Sequence, residues 1–232
     1  WGVWKDGGMI GNMGSGGHIF QTPAVGKTER ESASMIIDHL YARGFISYGF
    51  ETGLEAKPSG DVFANSEEMW EYVPQNVWLM HAHVEDCYEG GIQAHRFVNL
   101  WEMHSRCYRM GHPDCDFTYY KPGNSPAAFI NDPGYGTSSR RNTPQINRYI
   151  IGGWYIDCAR KGIDAHTLGG LYISNVKIKS MIWGIQICFD EIYTTPNEPS
   201  PSATLSNQFT LRDTEIFANL KGLDFTNGSF GS

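Results

Sequence analysis

Apolar and polar residues alternate strictly in several short segments, each of which follows a glycine. The apolar residues stand one and three positions after the glycine: Ile92 and Ala94, Ile163 and Ala165, Ile185 and Ile187, Leu223 and Phe225. Two and four positions after it stand Gln93 and His95, Asp164 and His166, Gln186 and Cys188, Asp224 and Thr226. A period of two predicts β-strands that bury one face and expose the other.

The alternating segments belong to an internal repeat. Residues 86–95 return in similar form as residues 157–166, and weaker copies surround Gly111, Gly184 and Gly222. The closest repeats are about 20 residues apart, the length of one rung of a β-solenoid. The wider steps are expected to carry excursions or a further rung. A β-sandwich shares this composition but does not produce columns of aligned residues.

Small residues stand four positions before the glycines, namely Cys87, Cys107, Cys158, Ser180 and Ala218. Such a column is expected where stacked backbones crowd inside a narrow coil. The glycine itself suits a corner that needs an unusual backbone angle. The rung after Gly111 breaks the pattern, because Pro113 cannot donate to a strand ladder, and it predicts a bulge or the start of an excursion.

These patterns predict an all-β β-solenoid with an irregular, glycine-rich segment at 1–34 and a body at 35–232. Loop excursions are expected at 53–75, 117–147 and 194–203, where turn-forming residues gather. Residues 29–41 have a helical pattern, with Met35, Ile36 and Leu40 on one side, which predicts a helix that caps or pads the coil. The chain begins at Trp1 and ends just after a rung, so we expect it to be a fragment of a longer chain.

Composition narrows the function classes. Hydrophobic residues make up 41% of the chain, with 27 Gly and 11 Pro, as expected of a β-rich globular protein. No apolar run reaches the ~18 to 20 residues that cross a membrane, so membrane insertion is not expected. A net charge of −7 lacks the basic surface that nucleic acid requires.

Cysteine and histidine give no sign of a disulfide framework or a metal site. Five cysteines are an odd number, and three of them stand in the inward column as small apolar residues. Reduced thiols suit assembly in a cytoplasm. His81 and His83 fall on one face of a predicted strand, but no tight ligand spacing accompanies them, so neither a metal nor a cofactor is predicted.

The rung pattern resembles a known family. The sequence from Arg160 to His166, followed by residues 169–178, is similar to the pectate-lyase-like right-handed parallel β-helix proteins, in particular bacteriophage tailspikes and tail fibres. The likeness covers about residues 76–232 and is one of fold. It implies a homotrimer in the virion tail, assembled in the host cytoplasm with other tail proteins. Such proteins bind, and often cleave as lyases or glycosidases, a bacterial capsule or O-antigen polysaccharide.

One motif within the repeat gives a more specific resemblance than the fold does. Asp164 and His166 are two residues apart on a strand, so both project from its outward face about 6.6 Å apart. The motif is similar to the Asp-Pro-His of the mannuronan epimerases, with Ala165 in place of proline. In that family it supports proton abstraction next to a carboxylate, which implies a catalytic role for Asp164 and His166.

Two chemistries fit the residues at and around Asp164 and His166. In a lyase, His166 is the base and Arg160 or Lys161 stabilises the enolate. In a hydrolase, two carboxylates stand ~5 to 9.5 Å apart, and the partners of Asp164 are Asp224, Glu85 or Asp86. The expected sugar contacts are Gln93, His95, Gln186 and Asp224 in the same columns, with Tyr119 and Tyr120 in the 117–147 excursion.

The sequence therefore predicts a tailspike-type protein that binds and depolymerises surface polysaccharide. Two alternatives stay open. The first is a non-catalytic structural or receptor-binding fibre domain, and the second is a secreted bacterial polysaccharide lyase or epimerase.

Overall fold

The computed structural model describes residues 2–10, 34–45, 48–52, 76–94, 97–111, 134–139, 145–166, 170–188 and 208–226. All regular elements in these ranges are β-strands, and their pairings are parallel. The expectation of an all-β fold is confirmed for these residues. The strands are β1 (Gly2–Ile10), β2 (Ser34–Arg43), β3 (Tyr48–Thr52), β4 (Asn76–Met80), β5 (His83–Glu85), β6 (Gly90–Ala94), β7 (Phe97–Met103), β8 (Arg106–Tyr108), β9 (Tyr135–Ser139), β10 (Gln145–Ile151), β11 (Trp154–Cys158), β12 (Lys161–His166), β13 (Gly170–Ser174), β14 (Lys177–Ser180), β15 (Trp183–Cys188), β16 (Gln208–Arg212), β17 (Glu215–Ala218) and β18 (Lys221–Thr226).

The strands form a 12-stranded sheet and a six-stranded sheet. Strand β2 pairs with β4 along its first half and with β5 along its second half, and it also pairs with β1. The larger sheet therefore has a first arm, β4-β7-β10-β13-β16, and a second arm, β5-β8-β11-β14-β17. The smaller sheet has the order β18-β15-β12-β9-β6-β3.

From β4 onward the chain visits the first arm, the second arm and the smaller sheet in strict rotation. We call each such set of strands a unit. Units 2 to 6 have three strands each, from β4–β6 in unit 2 to β16–β18 in unit 6. Unit 1 has two strands, β2 and β3, because β2 pairs with both arms. This order is compatible with the parallel β-helix that the sequence predicts.

The predicted inward column of the smaller sheet is confirmed. In register it contains Phe50, Ile92, Thr137, Ile163, Ile185 and Leu223. The first five side chains are fully buried. Leu223 is 37% exposed because β18 is the last strand in the order of its sheet.

Every unit carries a glycine one residue before this column. The glycines are Gly49, Gly91, Gly136, Gly162, Gly184 and Gly222. A Cβ on Gly162 would lie 2.2 Å from Ile178 Cγ2 of the second arm, and one on Gly49 would lie 2.2 Å from Val84 Cγ1. Lack of space between the two sheets therefore requires glycine here. The expected cause, an unusual backbone angle, is wrong, because none of these glycines has a positive φ.

The unit around Gly111 is built differently from the prediction. Its glycine position is held by Gly136 in β9, while Gly111 has a φ of 62° at a turn. Cys107 lies opposite Val84 and Tyr155 instead of continuing the column of small residues. In this unit the described strand of the smaller sheet is β9, which begins at Tyr135. The bulge or excursion predicted at Pro113 lies outside the described residues.

The helix predicted at 29–41 is wrong for its described part, since β2 begins at Ser34. Ile37 and Leu40 are both buried and three residues apart, which imitates helical spacing. The cause is His39, whose φ of 57° bends the strand and shifts the alternation by one residue.

The other predicted boundaries are described only in part. The N-terminal segment 1–34 contains β1, which pairs with β2, and residues 11–33 lie outside the described ranges. The excursions at 53–75 and 194–203 also lie outside them. Of the excursion at 117–147, β9 and the first residues of β10 are regular strand.

Among the described residues, a buried polar network between units 3 and 4 interrupts a largely apolar interior. Arg148 Nη2 donates to Glu102 Oε2 at 2.9 Å, and both side chains are fully buried. Thr137 Oγ1 donates to Glu102 at 2.9 Å, and the Tyr155 hydroxyl donates to its other oxygen. Arg148 also donates to Ser139. The carboxylate is thus held by three donors, which is how a buried charge is tolerated.

Candidate functional site

Four of the predicted site residues lie in one outward column of the smaller sheet. Asp164 is in register with Gln186, and Gln186 with Asp224. On the other side Asp164 is in register with Ser138, and Ser138 with Gln93. We call these five residues the polar column. The structure therefore brings together residues that are 131 positions apart between Gln93 and Asp224.

The central part of the polar column is covered instead of solvated. Ser138 is 2% exposed, Asp164 6% and Gln186 9%, which differs from the open strip expected from the alternation. The Ser138 hydroxyl donates to the Tyr48 hydroxyl at 3.3 Å, and burial strongly raises the pKa of that phenol.

Lys161 forms a buried ion pair with the central residue of the polar column. Its Nζ donates to Asp164 Oδ1 at 3.0 Å, and the two side chains are 5% and 8% exposed. The ammonium lies between two aromatic rings, 5.2 Å from the centroid of Tyr135 and 5.4 Å from that of Trp183. Cation–π attraction at these distances compensates part of the lost hydration.

Arg160 shares the same aromatic pair. Its guanidinium carbon lies 5.6 Å from the Tyr135 centroid and 5.4 Å from the Trp183 centroid, and Nη1 donates to the Tyr135 hydroxyl at 3.0 Å. Partial burial lowers the pKa of Arg160, and the nearby Asp164 acts in the opposite direction. The predicted cations therefore do lie beside Asp164, in an environment of aromatic rings.

The same lysine–aspartate spacing returns at the edge of the sheet. The sequence Lys-Gly-Ile-Asp at 161–164 is repeated as Lys-Gly-Leu-Asp at 221–224. Lys221 Nζ donates to Asp224 Oδ1 at 2.7 Å, and Gln186 Nε2 donates to Oδ2 at 2.9 Å. The hydrogen bond from Lys221, followed by that from Gln186, lowers the pKa of Asp224. Lys221 is 52% exposed, so this copy of the pair is open to solvent.

Several predicted residues cannot be placed in the site. His95, Tyr119 and Tyr120 lie outside the described residues. The backbone of His166 belongs to β12, but its side chain is not among those described.

Two further acids proposed as partners of Asp164 lie elsewhere. Glu85 and Asp86 are at the end of β5 in the second arm, not in the polar column. Asp86 forms ion pairs with Arg43 at 2.9 Å and with Arg109. Its carboxylate is thus committed to two guanidinium groups.

The described cysteines behave as small apolar residues, as predicted. Cys87, Cys107 and Cys158 are buried thiols. Burial raises the pKa of the Cys158 and Cys107 thiols. A thiol without thiolate character is a poor nucleophile, so Cys107 and Cys158 do not suit covalent catalysis.

An open pocket at the ends of β11, β14 and β17 was not predicted. It has a volume of about 400 Å³. Phe217 and Met181 in its wall are 66% and 48% exposed, and Lys179 Nζ lies 2.7 Å from Asp157 Oδ1. Its lining includes Asp157, Lys179, Ser180, Met181, Phe217 and Asn219. The pocket therefore combines an exposed aromatic ring with a carboxylate, an ammonium and an amide.

A second aromatic group covers the outside of the first arm. The Trp78 and Trp101 rings are stacked with centroids 4.7 Å apart, and Trp101 stacks on Tyr149 at 5.3 Å. Asn99 links Asn76 and Asn147 beside them by side-chain hydrogen bonds of 3.0 Å. We call the three stacked rings the aromatic ladder. The facing sides of these rings pack on one another, so this part of the ladder offers ring edges to a ligand.

Comparison of the chain with protein families, with curated proteins and with solved structures found no match in any of the three. Within the described residues, no helix is both long and apolar enough to span a membrane. Two features of the described residues could bind a ligand, namely the polar column and the open pocket.

Proposed function

We propose that the chain is part of a right-handed parallel β-helix that binds a bacterial surface polysaccharide, in the manner of phage tailspikes and tail fibres. The rotation of the chain through three columns of parallel strands supports the β-helix. One observation carries the binding proposal, namely the open pocket in which exposed Phe217 lies with Asp157, Lys179 and Asn219.

The pocket suits a sugar for two reasons. Its volume of about 400 Å³ lies in the range of small-ligand sites. A pyranose has an apolar face that stacks on an aromatic ring and hydroxyl groups that need hydrogen-bond partners. Phe217 supplies the ring, while the Asp157–Lys179 pair and Asn219 supply acceptors and donors. Because the pocket extends over units 4, 5 and 6, it lies along the direction in which a polysaccharide would cross the strands.

The test compares two exposed phenylalanines of unit 6. Phe217→Ala should weaken binding of capsule or O-antigen oligosaccharides by about ten-fold, the upper end of an aromatic stacking contribution. Phe225→Ala is the matched control, because Phe225 is 56% exposed but is not part of the pocket lining. Calorimetric titration of each variant measures the difference. Equal affinities for Phe217→Ala and the wild type would contradict a sugar site in this pocket.

Depolymerisation at the polar column is the second candidate. Asp164 and Asp224 lie on strands separated only by β15, which corresponds to about 9.6 Å at the usual strand spacing. That is close to the ~6.5 to 9.5 Å between the carboxylates of inverting glycosidases. Asp224, whose pKa is lowered, suits the base. Asp164 would have to leave the Lys161 ammonium, which stabilises its ionised form, before it could act as the acid.

The lyase version uses His166 as base, with Lys161 or Arg160 beside the substrate carboxylate. Purified protein is incubated with capsule or O-antigen, and released oligosaccharides and the ultraviolet absorbance of unsaturated uronates are measured. If the polar column is catalytic, Asp164→Asn and His166→Ala should each lower the rate by ~100-fold or more. Cleavage at the wild-type rate by both variants would exclude this site, while binding without cleavage would favour the receptor-binding fibre domain.

A homotrimer in a virion tail, assembled in the host cytoplasm with other tail proteins, is the proposed setting. The exposed apolar side chain of Leu220 at the edge of unit 6, with 65% of its surface accessible, supports contact with further protein there. Light scattering should report three copies per particle. A stable monomer would instead favour the secreted lyase or epimerase.

A further inference from the structure

A column of three histidines lies at the bend between the two arms of the larger sheet. His39, His81 and His104 occupy the same place in units 1, 2 and 3, with φ values of 57°, 52° and 55°. Their imidazole rings are stacked, with centroids 4.6 Å apart between His39 and His81 and 5.4 Å apart between His81 and His104. In unit 4 the place is taken by Gly152, where a Cβ would lie only 2.4 Å from His104 Nδ1.

Two of these histidines converge on one carboxylate. His39 Nδ1 lies 2.9 Å from Asp38 Oδ1, and His81 Nδ1 lies 2.8 Å from the same oxygen. The imidazoles are 56% and 46% exposed, whereas the Asp38 side chain is only 13% exposed. Ligand atoms of the three residues all lie within 4.8 Å of one another. A mostly buried carboxylate is thus approached by two half-exposed imidazoles, which have room to rotate.

We propose that Asp38, His39 and His81 bind a divalent transition-metal ion of the Zn²⁺ type, which joins unit 1 to unit 2. Imidazole nitrogen and carboxylate oxygen are the ligands that Zn²⁺ prefers, at about 2.0 to 2.2 Å. Water completes a tetrahedral set.

The two distances to Asp38 require only a small adjustment. In a tetrahedral zinc site neighbouring ligand atoms are about 3.4 Å apart, as follows from the bond lengths. The present separations of 2.8 and 2.9 Å must therefore open by about half an ångström. The half-exposed imidazoles can do so by rotating about their side-chain bonds, without disturbing the buried Ile37 and Leu40 on either side.

The protonation state follows from the geometry. Each imidazole coordinates through a neutral Nδ1, so its remaining proton is on Nε2. Metal binding therefore displaces any proton from Nδ1. The sequence offered no ligand-spacing motif because His39 and His81 are 42 residues apart and meet only through the register of the units.

The residue at the same place in unit 5 indicates a conservative substitution for testing the histidines. Asn175 stands at the same bend in unit 5 with a φ of 54°, so His→Asn keeps a residue that tolerates this backbone conformation. Metal-free full-length protein is titrated calorimetrically with Zn²⁺ at neutral pH. We expect His39→Asn and His81→Asn each to lower the affinity by more than about 10-fold, the smallest loss typical even for residues around the ligands.

His104→Asn is the matched control. His104 has the same backbone conformation and stacks on His81, but it is not one of the three converging ligands. Its substitution should leave the zinc affinity unchanged.

A second readout uses the wild-type chain, so it does not depend on the folding of any variant. In ¹H–¹⁵N spectra of the imidazoles, Zn²⁺ should shift the Nδ1 signals of His39 and His81 but not that of His104. The proposal is overturned if the wild type binds no zinc at this site, or if all three variants bind it equally well. The column would then be a stack of imidazoles that stabilises the bend.

Discussion

The Lys161–Asp164 pair and the Lys221–Asp224 pair have the same sequence spacing and the same hydrogen bond, yet they lie in different surroundings. The first is almost completely buried between aromatic rings, and the second is at the edge of the sheet with its lysine 52% exposed. The free energy of a charge pair depends on how much water remains around it. The two pairs therefore allow one interaction to be compared in two environments within one chain.

Lys161→Met should destabilise the protein by about 3 to 5 kcal/mol, because it leaves the Asp164 carboxylate buried without its cation. The control Lys221→Met should cost about 0 to 1 kcal/mol, as for an exposed pair. Denaturant unfolding followed by circular dichroism measures both changes. In the control, the pKa of Asp224, which is lowered chiefly by Lys221, should rise toward the ordinary aspartate value in an NMR titration. Similar losses in the two variants would mean that Asp164 is not buried in the folded protein.

At the scale of the strands, the glycine column sets how closely the smaller sheet approaches the second arm. In the interior units the missing side chain is replaced by a residue of the opposite strand, such as Ile178 against Gly162. At the edge, a Cβ on Gly222 would meet only Ile216 Cγ2, at 3.9 Å, which is ordinary contact. Glycine is therefore obligatory at this position in unit 4 and replaceable in unit 6.

Gly162→Ala should cost about 1 to 3 kcal/mol, the usual effect of forcing extra volume into a packed core. Gly222→Ala should be close to neutral. Thermal unfolding of the two variants gives the comparison, and the additional change Ile178→Ala should restore part of the stability that Gly162→Ala loses relative to Ile178→Ala alone. Equal effects at Gly162 and Gly222 would show that the approach of the sheets does not limit this position.

At the scale of the whole molecule, the buried Glu102–Arg148 network interrupts the largely apolar interior of the described residues. Glu102 is in register with Leu79 and Ile150, and Arg148 is in register with Leu100 and Leu171. Apolar residues thus fill the same columns in the neighbouring units. The charges are compatible with the fold, but the columns do not require them.

Glu102→Leu alone should destabilise the protein by about 3 to 5 kcal/mol, because Arg148 then remains buried without its carboxylate. The double variant Glu102→Leu/Arg148→Leu should recover most of that loss, since both columns accept leucine. A denaturant-based double-mutant cycle measures the coupling. Additive losses would contradict the pairing.

The sequence allowed the columns of the smaller sheet to be predicted, because Ile92, Ile163 and Ile185 follow a strict alternation after a glycine. It did not allow the larger sheet to be predicted in the same way, because bends such as that at His39 shift the alternation within each unit. The unit of Gly136 was missed because its glycine is followed by Thr137, Ser138 and Ser139, which do not alternate between apolar and polar residues. The burial of Asp164 was missed because local spacing does not show that its partner Lys161 lies beside Tyr135 and Trp183, rings of units 3 and 5.

The aromatic ladder gives the chain an intrinsic optical signal of strand register. Trp78 in β4 and Trp101 in β7 come from different units, and their rings are only 5° from parallel. Electronic transitions of rings this close couple, which changes their near-ultraviolet circular dichroism and their fluorescence relative to isolated indoles. A slip of one residue between β4 and β7 would turn one indole to the opposite face and abolish the coupling. The two strands therefore report their own correct pairing during refolding, without any added label.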